Sequence, residues 1–318
     1  MFFQILLRIL TSADLWGATL QFGALLLLPA LGGVISERSG VVNIAMEGMT
    51  LTGAYAGVMT ALATHSLILG VIGAIIAGGL MALVHAIVSI NFKADQIVSG
   101  IAINIAALGL TDYLLGIQTN GQGVPALSGK LAYLRLPTIS LGPLASIPFV
   151  GPVFFQQNVI FYVAILILLG IQFLLFRTNI GLRIRAVGEQ PQAADTAGVN
   201  VRLIRYLCVI SSGLLSGLAG AFLSLGIAGI FNTNMTAGVG FIALAAMIFG
   251  KYNPLGTAGA CLIFGLGEAL SPRLQDTGIS PNLLSTLPYL LTLVALVGLV
   301  GRTIPPAADG IPYEPGSE

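Results

Sequence analysis

Nine stretches of this chain are so apolar that water cannot be their solvent. They run over residues 16–35, 41–63, 67–90, 96–115, 159–176, 203–227, 239–250, 255–270 and 283–301. A helix crossing a bilayer needs about 20 mostly apolar residues, and most of the nine meet that length. The second is interrupted by Asn43, Glu47, Thr50 and Thr52. The seventh and eighth are short and flank Lys251-Tyr252-Asn253-Pro254. Only 8% of residues are charged, against about 25% in soluble proteins, so the chain has too little charge to coat a water-facing surface. The expected fold class is all-α: a polytopic membrane protein with about nine transmembrane helices, eight to ten in all. Residues 1–13 alternate Phe2, Phe3, Ile5 and Leu6 with Gln4 and Arg8. That segment is too short to span and is expected to lie in the interface.

The basic residues set an orientation. Arg177, Arg183, Arg185, Arg202 and Arg205 cluster in the loop 177–205, and loops rich in lysine and arginine stay in the cytoplasm. Alternation then puts Arg38, Lys93, Lys251 and Arg302 on the same side, making nine of the 13 basic residues cytoplasmic. The N-terminus and the proline-rich loop 117–158 fall outside, and the C-terminus falls inside. The tail 303–318, with Pro305, Pro306, Pro312 and Pro315, is expected to be disordered. Net charge is +1, which gives no sign of a nucleic-acid partner. Cys208 and Cys261 sit in apolar runs with no metal-ligand spacing and are expected to act as packing residues.

A repeat is visible. Residues 40–49 (GVVNIAMEGM) and 238–247 (GVGFIALAAM) match at five of ten positions, with an offset of 198. The offset pairs span 2 with span 7. Those spans differ by five crossings, so they run in opposite directions. The halves 16–116 and 203–301 are expected to be inverted copies, an architecture of transporters that places the pathway at the repeat interface.

Within the basic loop, Gln190 and Pro191 can open a short helix, because proline's fixed φ and missing N–H suit a first turn. Gly198 can close it in the left-handed conformation. Ala193, Ala194 and Ala197 would give that helix a small-residue face able to enter a groove on a cytoplasmic partner. An ordinary solvated loop accounts for the composition as well.

Two segments carry a family resemblance. Residues 37–49 (ERSGVVNIAMEGM) and 181–199 (GLRIRAVGEQPQAADTAGV) resemble signatures of ABC-importer permeases for simple sugars, nucleosides and branched-chain amino acids. The resemblance extends over roughly 16–302, within a permease domain of 14–302, and is nearest to the purine nucleoside branch. It implies a type II importer-like fold in the bacterial cytoplasmic membrane. It also implies partners: a cytoplasmic ATPase subunit, a second permease chain of different sequence and an external substrate-binding lipoprotein. No cofactor is implied in this chain. ATP and Mg are held by the ATPase, and no Gly-x-x-x-x-Gly-Lys-Ser/Thr loop occurs here. The chain is therefore expected not to be an enzyme. Contact with the ATPase falls on Gly188, Glu189, Gln190, Pro191, Ala193, Ala194, Asp195 and Gly198.

Charges inside a membrane span are read first as functional. Glu47 and Asn43, one turn apart, and Phe241, the repeat counterpart of Asn43, are the expected path residues. Glu268 is expected at the external interface, and His85 and His65 in structural or surface roles. Asn104 and Asn282 lie in or beside spans 4 and 9. Asn232, Thr233 and Asn234 read as a polar break or an interfacial turn, and Phe231 as a packing or stacking ring. Two rival readings are an ion-driven carrier, for which Glu47 would be the ion ligand, and an intramembrane hydrolase, for which Ser99, Ser212 or Ser216 would need a partnered base.

Overall fold

The computed structural model describes residues 7–119, 135–140, 142–274, 286 and 303–314. Ten helices organise it: α1 (Ala13–Arg38), α2 (Met46–Thr64), α3 (Leu67–Ala86), α4 (Gln96–Gln118), α5 (Val159–Arg177), α6 (Asn179–Glu189), α7 (Pro191–Thr196), α8 (Val201–Ala221), α9 (Val239–Phe249) and α10 (Pro254–Arg273). α3 and α8 run on as π-helical turns over Ile87–Asn91 and Phe222–Ala228. Among the described residues six helices are long and apolar enough to cross a membrane: α1, α3, α4, α5, α8 and α10. The polar-interrupted α2 and the short α9 complete spans one to eight. The ninth expected span lies outside the described residues. Leu274, next to Arg273, which bonds Asp14, and Thr303 lie at opposite ends of the bundle.

Short polar residues start nearly every helix. Ser12, Ser66, Asp95, Asn158, Thr178, Asn200 and Asn253 each accept a hydrogen bond from a backbone N–H of the first turn, satisfying donors that lipid cannot. Only two of the eight spanning-length or span-matched helices, α2 and α9, lack such a cap. They are also the pair related by the sequence repeat. Their preceding glycines share a conformation, Gly40 at φ +86° and Gly238 at φ +99°, which side chains rarely adopt.

The packing obeys the same repeat. α1, the first helix of one half, lies on α10, the third span of the other, where a Cβ on Gly265 would collide with Gly23. Reciprocally, α8 lies on α3, where Gly78 meets Gly213 and Gly217. α1 also packs on α9, and α8 on α2. The halves thus exchange their first helices. α1 and α8 are 78% and 72% buried over their most apolar stretch, whereas α3, α4 and α5 are each 28% buried, so the exchanged pair forms the centre and the others face outward. α3 shows lipid an i, i+4 stripe of Ile68, Ile72, Ile76, Leu80 and Val84.

One end of the bundle gathers the basic loops. There Arg38 Nε donates to the Tyr252 carbonyl at 2.9 Å, and α6–α7 lie against the α1–α2 turn. A Cβ on Gly188 would run into the Arg38 carbonyl. The expectation of a disordered tail needs correction for 303–314, which packs against this face. Ala308 donates to Gly188 O at 2.9 Å, and Tyr313 is buried against Val187, Ala194 and Val201. Its prolines hinder helix formation but not an extended course, and the tyrosine supplies the apolar anchor. At the opposite end, β1 (Thr138–Ser140) and β2 (Gln156–Asn158) pair as a two-stranded antiparallel ribbon. It seals the end of α8 through Leu136 N–H to Leu225 O, 3.0 Å.

Candidate functional site

Span 2 begins with unwound backbone over residues 40–45, and side chains from two neighbouring helices satisfy it. Gln96 Oε1 accepts from Val42 N at 2.7 Å, and His85 Nε2 lies 3.0 Å from Val42 O. Asn104 Nδ2 donates to Ile44 O at 3.0 Å. His85 Nδ1 meets Ser99 Oγ at 3.0 Å. This fully buried histidine therefore anchors backbone, in keeping with its expected structural role. Ser99 serves as its partner, and no metal-binding group of His, Cys, Asp and Glu occurs among the described residues.

The two helices without caps of their own are capped from elsewhere. Asn104 Oδ1, on α4, accepts from Gly48 N in the first turn of α2 at 2.8 Å. Glu47, on α2, caps α9. Its Oε1 accepts from Thr236 Oγ1 at 2.6 Å and Gly238 N at 2.9 Å, and its Oε2 accepts from Gly240 N at 2.6 Å. Three donors and no acceptor face the group, the pattern a carboxylate suits. The N-terminal dipoles of α2 and α9 add favourable potential. Among the described residues, this buried carboxyl group thus has no basic partner.

Glu47, Gly48, Asn104, Ile105, Gly238 and Phe241 line a cleft of about 470 Å³ between α2, α4 and α9. Phe241, one of these lining residues, is 47% exposed. Of the three expected path residues, the structure brings Glu47 and Phe241 together. It places Asn43 apart, fully buried, donating to Ser212 Oγ at 2.8 Å and accepting from Ala45 N. Asn43 and Phe241 thus do not face each other across the cleft. Phe231 is fully buried edge-on to Tyr55 at 5.3 Å, a packing ring. Thr233 belongs to a turn and donates to Asp112 at 3.3 Å. Glu268 borders a separate cavity of about 150 Å³ with Thr236 and Met235. Asn282 lies outside the described residues. Sequence reasoning missed the donors of Thr236, Gly238 and Gly240. The repeat makes Gly238 the counterpart of Gly40, but it does not point to Glu47 as the acceptor.

On the basic face α7 spans Pro191–Thr196 with proline at its start, and Gly198 at φ +83° ends it. The preceding α6 is a second, amphipathic helix where the sequence reading had only loop. It buries Gly181, Ile184, Val187 and Gly188 and lays Arg185 over the Phe176 ring at 5.2 Å. The small-residue face is divided. Ala193 and Ala197 are exposed with Gln192 and Asp195, whereas Ala194 is 5% exposed and points inward.

The family described as branched-chain amino acid transport system / permease component matches residues 17–296. The chain belongs to this permease family. The permease is 42% identical to the guanosine ABC transporter permease protein NupQ of Bacillus subtilis (strain 168), over 94% of this chain and 96% of that protein. It is 37% identical to the nucleoside ABC transporter permease protein NupC of Lactococcus lactis subsp. cremoris (strain MG1363), over 91% and 92%. Its fold is shared with a solved metal-chelate-type ABC transporter in an inward-facing conformation, at a TM-score of 0.53 and 16% identity, covering 94% of this chain and 99% of that one. The permease is thus a multi-pass membrane subunit of an ABC transporter. ATP hydrolysis belongs to a partner ATPase, and a binding protein is a partner in general. The ion-driven carrier rested on Glu47, whose oxygens are instead engaged by three protein donors.

Proposed function

We propose that this permease moves nucleosides, purine nucleosides foremost, into the bacterial cytoplasm, and that the cleft between α2, α4 and α9 is part of their path. The observation that carries this reading is the pairing of an exposed aromatic ring with polar groups in one cleft. Phe241 offers a stacking face to a base. Glu47 and Asn104 retain lone-pair and N–H capacity for hydroxyls and base edges. Whole-length similarity to permeases named for guanosine and nucleosides supports the same substrate class.

In this reading the basic face is cytoplasmic, as the arginine and lysine distribution favours. The multi-pass chain sits in the bacterial cytoplasmic membrane with its C-terminus inside and its N-terminus outside. Residues Gly188, Glu189, Gln190, Pro191, Ala193, Ala194, Asp195 and Gly198 form the coupling segment. Gln192, Ala193 and Asp195 meet the ATPase directly, and Ala194 secures the helix from behind. ATP and Mg are held by that ATPase, and no cofactor binds this chain. The remaining partners are a second, different permease chain and an external lipoprotein that delivers substrate. Asn43 supports the path by bracing the unwound segment. ATP-driven closure of the ATPase displaces α7 and shifts the two halves between outward-open and inward-open arrangements.

The test is uptake of labelled guanosine, adenosine, uridine and glucose by cells expressing the whole complex and lacking other nucleoside carriers. Guanosine uptake that requires the ATPase and survives an ionophore is the expected result. Uptake of glucose in preference to every nucleoside overturns the substrate assignment.

A further inference from the structure

Residues 303–314 cross the basic face and fasten to each loop around them. Thr303 Oγ1 donates to Ile248 O at the end of α9. Ala307 N donates to Glu189 Oε2 at 3.2 Å, and Ala308 N to Gly188 O at 2.9 Å, on the turn that leads into α7. Tyr313, 8% exposed, inserts between Val187, Ala194 and Val201. Glu314 pairs with Lys93 Nζ at 2.6 Å in the α3–α4 loop. Parts of both repeat halves and the α6–α7 unit are therefore held by one segment.

Its central fastening is Arg205. This arginine is 2% exposed, on the second turn of α8. Its Nε donates to Ser39 O at 3.2 Å in the α1–α2 turn, and its Nη1 to Ile311 O at 2.9 Å in the tail. Asp309 lies within its field, beside Glu37 of α1. If the tail left, the guanidinium would lose Ile311 and Asp309, and of its partners among the described residues the Ser39 carbonyl would remain. One guanidinium is thus the junction of the α1–α2 turn, α8 and the strap.

We propose that residues 303–314 are a tie through which displacement of α7 reaches both repeat halves together, with Arg205 as the positioning residue that seats it. The proposal rests on the reading of α7 as the coupling helix. Without the tie, α7 would still meet the ATPase through its exposed side, but its movement would be absorbed locally. ATP would then be hydrolysed with little transport.

The experiment compares wild type with a chain ending at Arg302, and with the double variant Ala307→Pro/Tyr313→Ala, which removes one N–H donor and the anchor while keeping the length. Each is assembled with the full set of partners in proteoliposomes. Hydrogen exchange over 186–198, ATP hydrolysis and guanosine uptake are measured. The expected result is exchange at least tenfold faster over 186–198, uptake lowered at least tenfold, and hydrolysis within twofold of wild type. Exchange and uptake within twofold of wild type overturn the proposal. So does a parallel loss of hydrolysis and uptake, which marks a merely structural tail. If the shortened chain does not accumulate, the double variant decides. If wild type moves no guanosine, the transport reading fails, and the exchange comparison still decides whether the strap holds α7.

Discussion

Glu47 Oε2 and the Gly240 N–H lie 2.6 Å apart, and this bond joins the first turn of α2 to the first turn of α9, the two helices that the internal repeat makes equivalent. The cleft-lining side chain is thus also the cap of the opposing half.

Replacing Glu47 with Gln keeps the size but offers one acceptor oxygen where two are used, and turns an N–H₂ toward backbone donors. Leaving a buried donor unsatisfied costs about 1–3 kcal/mol, more where a charged partner is lost. Glu47→Gln is expected to lower the thermal midpoint of the detergent-solubilised permease and guanosine uptake together. Wild-type values of both would contradict the cap.

Phe241 and Phe231 separate function from packing. Stacking on an aromatic ring contributes about 1–3 kcal/mol per base, so Phe241→Ala is expected to raise KM for guanosine about tenfold with an unchanged melting temperature. Phe231→Ala empties a fully buried site beside Tyr55 and is expected to cost about 3–5 kcal/mol of stability. Equal effects of the two substitutions on KM would argue against the cleft.

The two central alanines of α7 make opposite predictions. Ala193 is exposed and Ala194 is 5% exposed. Ala193→Arg is expected to abolish co-purification of the ATPase while hydrogen exchange over 303–314 stays as in wild type. Ala194→Arg is expected to dislodge Tyr313 and speed exchange there at least tenfold. Co-purification unaffected by Ala193→Arg would place ATPase contact elsewhere.

Burial pushes the Asp309 carboxyl up from 3.8 to about 6, against the pull of Arg205. A carboxyl raised in the folded state binds its proton more tightly there than in the released tail. Docking is therefore favoured at low pH and weakens as pH climbs from about 3.8 through about 6. Asp309 titrates with Glu37 beside it, so the slope belongs to the pair. Intrinsic-rate-corrected exchange of the strap is expected to speed up between pH 5 and 7, and Asp309→Asn to flatten that change. A pH-independent wild type would remove Asp309 from the docking equilibrium.

Much of this architecture was legible in the sequence because lipid leaves few choices. Helix caps, apolar runs and the glycine–proline punctuation of α7 are local signals, and the first eight spans and the α7 helix follow from them. The pairing of α2 with α9 came from a ten-residue repeat. What escaped was non-local. Nothing near Glu47 announces that its donors are Thr236, Gly238 and Gly240, almost two hundred residues away. Asn43 read as a path residue because it shares a helical face with Glu47, but the backbone there is unwound and sends its side chain to Ser212. Prolines made the tail look unstructured, and only the surroundings of Arg205 and Tyr313 show why it is seated.

The exchange of first helices has a consequence for how this molecule comes into being. α1 leaves the ribosome before α10, on which it sits, and α2 to α9 are made in between. Until then it must wait in lipid, or under a membrane chaperone, with its glycine-lined flank uncovered. A gene cut between the halves would yield two fragments, each missing the centre of its own bundle, that become a transporter only by finding each other.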